Sequence, residues 1–186
     1  MPAALATPVV SVAFTPDGKK LVAAGGRNML VLDVASGREE CRTPLGHGNQ
    51  NITMVAVGPA REENYANPAP PEWTVVTCDK TGAAWVWRLR TAKNARPGDP
   101  MVLEHLAFLT GHAEPITCVA FTKFGKTIAT TSEDRTIRLW DPITGRERAA
   151  LTSHTDAVLL CAFYPEDWAM VSLGRDGGLK IWRAAK

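Results

Sequence analysis

Short apolar runs separated by glycine and proline turns recur along the whole chain, and no window keeps the spacing of an amphipathic helix. The clearest runs are rich in Val, Ile, Thr and aromatic residues, and they occupy 116–121, 127–131, 136–140 and 146–151. Short runs of this composition, bounded by turn residues, are typical of β-strands. The pattern therefore predicts an all-β protein made of antiparallel strands.

The pattern of strands and turns repeats at a fixed interval. Four pairs of like residues share a separation of 42 residues: His112 and His154, Phe121 and Phe163, Asp134 and Asp176, and Trp140 and Trp182. A common separation for four residue types indicates two copies of one structural unit. A third copy, at 11–39, aligns with 118–147 after a gap of one residue.

A lengthened fourth copy lies between these units and opens at Gly46-His47. Two of its segments, 58–72 and 91–100, are rich in Pro, Asn and charged residues, which favours exposed loops inserted at turns. The four repeats together predict one domain over residues 1–186. Their predicted bounds are about 8–45, 46–110, 111–152 and 153–186.

These repeats resemble the WD-repeat β-propeller family. The resemblance rests on Gly111-His112 followed by Trp140-Asp141, combined with the fixed period and the matching turns, and it covers nearly the full chain. It implies a partial β-propeller of four blades, each an antiparallel sheet of up to four strands. Few residues follow Trp182, so the last blade is expected to lack its outer strand.

The resemblance also implies a structural tetrad of hydrogen-bonded Trp, Ser or Thr, His and Asp in a blade. Carried over by position, the tetrads are His112, Thr130, Asp134 and Trp140 in the third blade and His154, Ser172, Asp176 and Trp182 in the fourth. An indole N–H only donates, a hydroxyl and a neutral imidazole both donate and accept, and a carboxylate accepts. The four groups can therefore form one continuous polar row through an apolar blade.

The first two blades depart from this pattern. The second keeps a partial tetrad of His47, Thr77 and Trp87, with Thr81 at the position of the Asp. In the first blade, Leu32 replaces the Trp and Gly26 replaces the Asp. We therefore expect the first blade to be held by apolar packing alone.

A Ser/Thr–His–Asp set is also the composition of a catalytic triad. Here the set recurs with the blade period and ends on a Trp, so we interpret it as structural and predict no enzyme activity. Zinc binding by His112 and His154 is disfavoured because no further ligand lies at a usable spacing. Glu133 and Asp134 are interpreted as a turn residue and a tetrad member, not as an acid/base pair. No catalytic residue, metal or cofactor is predicted.

Composition restricts the classes of partner. The 186 residues carry 21 Lys and Arg against 19 Asp and Glu, and this balanced charge disfavours nucleic-acid binding. No apolar run approaches the roughly 20 residues of a membrane helix, and Met1–Thr7 lacks the regions of a signal peptide. The dispersed cysteines Cys41, Cys78, Cys118 and Cys161 favour buried thiols and a cytoplasmic location.

The predicted function is that of a non-catalytic scaffold that binds protein partners through loops at one rim. The charged side chains expected on this rim are Glu114, Glu133, Arg135, Asp156 and Arg175, and each is also compatible with ordinary solvated surface. The segment Asn67-Pro68-Ala69-Pro70-Pro71 could dock a partner in an extended conformation, although a solvated loop is the simpler interpretation.

The number of blades raises a second hypothesis. WD-type rings usually close with about seven or eight blades, so four blades resemble half of a propeller. The two terminal blades should then present apolar faces, which favour association. We expect either a homodimer that closes an eight-bladed ring or a companion half-propeller that supplies the missing strand. A piece of a longer WD-repeat protein would share the same features.

Overall fold

A computed structural model of the protein describes residues 5, 7–44, 49–60, 72–92 and 99–183. The described residues contain fifteen β-strands in four antiparallel sheets. Sheet 1 contains β1 (Ser11–Phe14), β2 (Lys20–Gly25), β3 (Asn28–Asp33) and β4 (Glu39–Pro44). Sheet 2 contains β5 (Ile52–Pro59), β6 (Trp73–Asp79), β7 (Ala84–Thr91) and β8 (Met101–Leu109). Sheet 3 contains β9 (Ile116–Phe121), β10 (Ile128–Ser132), β11 (Ile137–Trp140) and β12 (Glu147–Leu151). Sheet 4 contains β13 (Val158–Phe163), β14 (Ala169–Gly174) and β15 (Leu179–Arg183).

Each sheet is a meander, because its strands pair in the order in which they occur in the chain. The strands of sheet 3 begin and end within one residue of the predicted runs. Three sheets have four strands, and in the described residues the last has three. The predicted architecture, a partial propeller of four antiparallel blades, is confirmed. Most of the two predicted insertions, and all of His47, lie outside the described residues.

The hydrophobic core lies in three layers, one between each pair of consecutive sheets. The strand period of two explains the division, because adjacent residues of one strand face opposite sides. In β6, Val75 packs in the layer shared with sheet 1, whereas Val76 packs in the layer shared with sheet 3. Both side chains are fully buried. A strand between two neighbours therefore contributes to two layers at once.

The turn between the second and third strands requires a left-handed residue in every sheet. Gly26, Gly82 and Gly177 occupy this position with φ values of 57°, 82° and 75°. In sheet 2 the turn also passes close to the backbone of the loop before β9, since a Cβ at Gly82 would lie 2.6 Å from the Glu114 carbonyl oxygen. Sheet 3 differs from the others, because Arg135 holds the left-handed conformation with φ of 71°.

Candidate functional site

The third repeat contains a continuous row of hydrogen bonds between four side chains. The Nε1–H of Trp140 donates to Thr130 Oγ1 at 2.8 Å, and the Thr130 hydroxyl lies 2.7 Å from His112 Nε2. On the other side of the imidazole ring, His112 Nδ1 lies 2.8 Å from Asp134 Oδ2. With the proton on Nδ1, each group donates to the next and the row ends on the carboxylate.

The protonation states follow from burial. Thr130 is fully buried, and His112 is only 7% exposed. This burial lowers the pKa of His112 and keeps the imidazole neutral at neutral pH, although the Asp134 carboxylate opposes the shift. Burial also acts to raise the pKa of Asp134, but hydrogen bonds from Thr136 and His112 outweigh it and lower the pKa overall. The pair is therefore a neutral imidazole that donates to an ionised carboxylate.

The row connects parts of the chain that are distant in sequence. His112 belongs to the loop between β8 and β9, whereas Asp134 belongs to the turn between β10 and β11. The Asp134 carboxylate also accepts from the backbone N–H groups of Ala113 and Thr136, at 3.1 and 2.9 Å. One carboxylate thus fixes both the loop that enters the sheet and the turn beside it.

Sheet 4 has the same arrangement. Trp182 Nε1 donates to Ser172 Oγ at 2.9 Å, and Ser172 Oγ lies 2.8 Å from His154 Nε2. His154 Nδ1 lies 3.2 Å from both carboxylate oxygens of Asp176. Hydrogen bonds from the backbone of Thr155 and Gly178 hold the pKa of Asp176 well below its usual range. The structure therefore brings together all eight residues assigned to the two tetrads.

Sheet 2 retains the Trp-to-Thr part of the row, since Trp87 Nε1 donates to Thr77 Oγ1 at 2.9 Å. Thr81 holds the position of the tetrad Asp, and it contacts the carboxylate of Asp79, which the repeat pattern does not identify. Asp79 Oδ1 accepts from Thr81 N at 2.8 Å and from Thr81 Oγ1 at 2.5 Å, and Asp79 is 1% exposed. An Asp at the end of a predicted strand, followed by Lys-Thr-Gly, is the sequence signal of such an Asx turn.

Sheet 1 differs from the expectation that apolar packing alone holds the first blade. Leu32 and Gly26 replace tetrad residues there, but apolar packing does not act alone. Lys20 Nζ lies 2.9 Å from Asp33 Oδ2 and 2.6 Å from Glu40 Oε1, and all three side chains are largely buried. Burial acts to lower the pKa of Lys20, but hydrogen bonds to Glu40 and Asp33 outweigh it and raise the pKa. The expectation failed because strand pairing brings these ions together from three different strands.

The five charged residues predicted on the rim are all exposed. They lie on the loops that enter sheets 3 and 4 and on the turns between the second and third strands of those sheets. Backbone hydrogen bonds join each turn to its loop, from Glu133 N to the Pro115 carbonyl at 3.1 Å and from Arg175 N to the Ala157 carbonyl at 2.7 Å. Arg175 Nη2 lies 3.9 Å from Glu133 Oε1, so the two sheets share one rim.

In the described part of the chain, no group of three His, Cys, Asp or Glu side chains is placed so that it could hold a metal ion. The described ranges also contain no helix that is long and apolar enough to cross a membrane. All four cysteines are free thiols, and Cys118 Sγ contacts the Cys161 carbonyl oxygen at 3.7 Å across the layer between sheets 3 and 4.

Comparison with known proteins identifies the repeat. The family model described as WD domain, G-beta repeat, matches residues 103–141. Periodic tryptophan protein 2 of Arabidopsis thaliana is 26% identical over 110 residues, which are 59% of this chain and 11% of that protein. Coronin-7 of Homo sapiens is 32% identical over 76 residues, which are 40% of this chain and 8% of that protein. The chain thus spans a small part of the length of these relatives.

Solved structures support the same assignment of fold. The computationally designed Ika4 protein superposes with a TM-score of 0.69 at 21% identity, covering 100% of this chain and 96% of that one. A chain of the mitotic checkpoint complex superposes with a TM-score of 0.71 at 18% identity, covering 97% of this chain and 49% of that one. The predicted resemblance to the WD-repeat β-propeller family is confirmed: this chain carries WD-type repeats, and its sheets are propeller blades.

Proposed function

We propose that this chain is a non-catalytic protein-interaction scaffold that binds protein partners through its charged rim. WD-repeat proteins generally act as interaction scaffolds, which supports the class of function. The observation that carries the proposal is the rim itself, where Glu133 and Arg175 from neighbouring sheets lie 3.9 Å apart on turns held by buried tetrads. A rigid base under exposed charges is what selective binding requires, because little ordering entropy is then lost on association.

The backbone conformation of Arg135 is a further observation in favour of binding at the rim. A non-glycine residue in the left-handed conformation is strained by about 1 kcal/mol or more, and in the corresponding turn of each of the other three sheets the left-handed residue is a Gly. The strained backbone carries an exposed guanidinium into the rim. We infer that the side chain serves an interaction that offsets the cost of the strain.

Burial of the hydroxyl groups supports the absence of catalysis at the tetrads. Thr130 is fully buried and Ser172 is 2% exposed, and each hydroxyl already accepts a hydrogen bond from a Trp indole. A nucleophile must reach the substrate, and these hydroxyls cannot do so in the folded blade. We therefore interpret the Ser/Thr–His–Asp sets as structural elements.

A matched pair of charge reversals tests binding at the rim. Arg135→Glu changes an exposed cation on the rim, and Lys126→Glu makes the same change at the opposite end of sheet 3. Chemical cross-linking in extract of the native host should yield a discrete adduct with the wild type and with Lys126→Glu, but not with Arg135→Glu. Equal adduct yields for the two variants would refute partner binding at the rim, provided that both variants have the melting temperature of the wild type.

A second candidate function is completion of a ring with a second chain. The specific observation is that the terminal sheets expose large apolar side chains, including Phe14 at 58% and Leu179 at 68%. Light scattering tests it, because a homodimer has twice the 20.1 kDa of the chain and a companion half-propeller would leave this chain monomeric alone. We further propose that residues 1–186 form one domain with the predicted repeat bounds, and that the protein is located in the cytoplasm, where a reducing environment keeps its four cysteines as free thiols.

A further inference from the structure

The outer face of sheet 4, which points away from sheet 3, is an ordered apolar array. Strand pairing places its side chains in two rows, Leu160, Leu173 and Leu179 in one and Ala162, Val171 and Ile181 in the other. The five large side chains of this array are between 37% and 68% exposed. Contiguous apolar surface of this kind marks an interaction site in a folded protein.

The repeat shows what covers such a face. The residues 42 positions earlier form the face of sheet 3 that packs against sheet 4. Ile137 is fully buried there, whereas its counterpart Leu179 is 68% exposed. Ala129 is likewise fully buried, whereas its counterpart Val171 is 40% exposed. The outer face of sheet 4 therefore corresponds to a face that, in sheet 3, is covered by the next sheet.

The outer face of sheet 1, which points away from sheet 2, carries the complementary surface. Val12 and Phe14 are 55% and 58% exposed. They align with Val119 and Phe121 in β9, which pack into the layer between sheets 2 and 3. The Phe121 ring lies so close to Gly58 of sheet 2 that a Cβ there would be 2.3 Å from the ring. Phe14 is thus a first-strand side chain without a preceding sheet among the described residues.

We propose that a second copy of this chain covers both faces. The outer face of sheet 1 of one copy packs on the outer face of sheet 4 of the other, with Phe14 and Ile181 in the new layer. The chain makes this type of layer three times internally, so each copy already carries both halves of the contact. This inference rests on the proposed completion of a ring by a second chain, and it names the partner.

Two copies related by a twofold axis can cover all four exposed faces at once, namely the outer faces of sheets 1 and 4 in each copy. The contact is heterologous at each layer, since two different surfaces meet, and the pair closes into two identical layers when the four sheets of each copy turn through half a circle. A contact between two sheet 4 faces would instead leave both sheet 1 faces exposed. The paired arrangement is favoured because it removes the most apolar area from water.

Single substitutions test the contact without disturbing the blade core, because the changed side chains are exposed. Phe14→Asp places a charge on the outer face of sheet 1, and Ile181→Asp places one on that of sheet 4. Phe124→Asp is the matched control, since Phe124 is 42% exposed but lies in the turn between β9 and β10. By light scattering, the wild type and Phe124→Asp should have twice the mass of 20.1 kDa, and the other two variants should be monomers.

Mixing the two monomeric variants tests the polarity of the contact. Phe14→Asp retains an intact sheet 4 face and Ile181→Asp retains an intact sheet 1 face, so the mixture can form one unaltered layer and should dimerise partly. Neither variant should dimerise alone. A dimer sensitive to only one substitution indicates like-to-like contact and overturns the proposal, as does a monomeric wild type. Either failure leaves the cross-linking test of the rim unaffected, so the two proposals can fail separately.

Discussion

His112 and Asp134 lie 22 residues apart in the chain, yet their side chains meet at 2.8 Å. The contact joins the loop that enters sheet 3 to the turn between β10 and β11, and these two segments carry the rim residues Glu114, Glu133 and Arg135. The buried hydrogen-bonded row therefore determines the position of the exposed charges. The hydrogen-bonded row that sheets 3 and 4 have in common therefore also supports the proposed binding surface.

We predict that the tetrad stabilises the fold. His112→Ala or Asp134→Ala leaves buried polar partners unsatisfied, so each should lower the free energy of unfolding by about 1–3 kcal/mol. The double variant should lose less than the sum, because both residues belong to one network. Glu133→Ala changes an exposed neighbour and should stay within about 0.5 kcal/mol. Denaturant titration measures all four, and equal shifts for His112→Ala, Asp134→Ala and Glu133→Ala would contradict the assignment.

The tetrad also predicts loss of stability in mild acid. Burial lowers the pKa of His112 in the folded protein below the 6.5 of the unfolded chain, so the unfolded chain binds more protons as pH falls through that value. The stability from the neutral imidazole is present above pH 6.5 and is lost below it. Melting temperatures measured from about pH 8 to about pH 5 should fall less steeply for His112→Gln than for the wild type. Parallel curves would show that His112 is not the titrating group.

Relief of the backbone strain at Arg135 should stabilise the fold, unlike the substitutions in the tetrad. Arg135→Gly should raise the free energy of unfolding by about 1 kcal/mol, because Gly adopts a positive φ without steric cost. The same substitution at Glu133, which has no positive φ, should lower stability through backbone entropy. Thermal melts of the two variants check the contrast. If Arg135 serves the rim, the more stable Arg135→Gly variant should also lose the cross-linked adduct.

Substitutions of two adjacent lysines test whether the ion cluster stabilises sheet 1. Lys20→Ala leaves the carboxylates of Asp33 and Glu40 without their shared cation, and we expect it to lower the free energy of unfolding more than substitution of a neighbouring exposed lysine does. Lys19 is exposed in the preceding turn, so Lys19→Ala should be neutral within about 0.5 kcal/mol. Denaturant midpoints separate the two variants. A neutral Lys20→Ala would mean that apolar packing holds sheet 1 without help from these ions.

The sequence by itself determined the features that are periodic along the chain. The strands of sheet 3 and the separation of 42 residues between Trp140 and Trp182 are readable because each blade repeats one local pattern of apolar runs and turns. The residues of the two tetrads could be assigned for the same reason, since each keeps its place within the repeat.

Only the tertiary structure decided the features that depend on strand pairing and on contacts between sheets. Lys20 and Glu40 meet because β2 and β4 both flank β3, a relationship that no periodic pattern encodes. The strain at Arg135 depends on a backbone angle that the residue type alone argues against. The exposure of Leu179, set beside the complete burial of Ile137, depends on which sheets have a neighbour. Local preferences act over a few residues, whereas these outcomes are set by packing between segments that are distant in sequence.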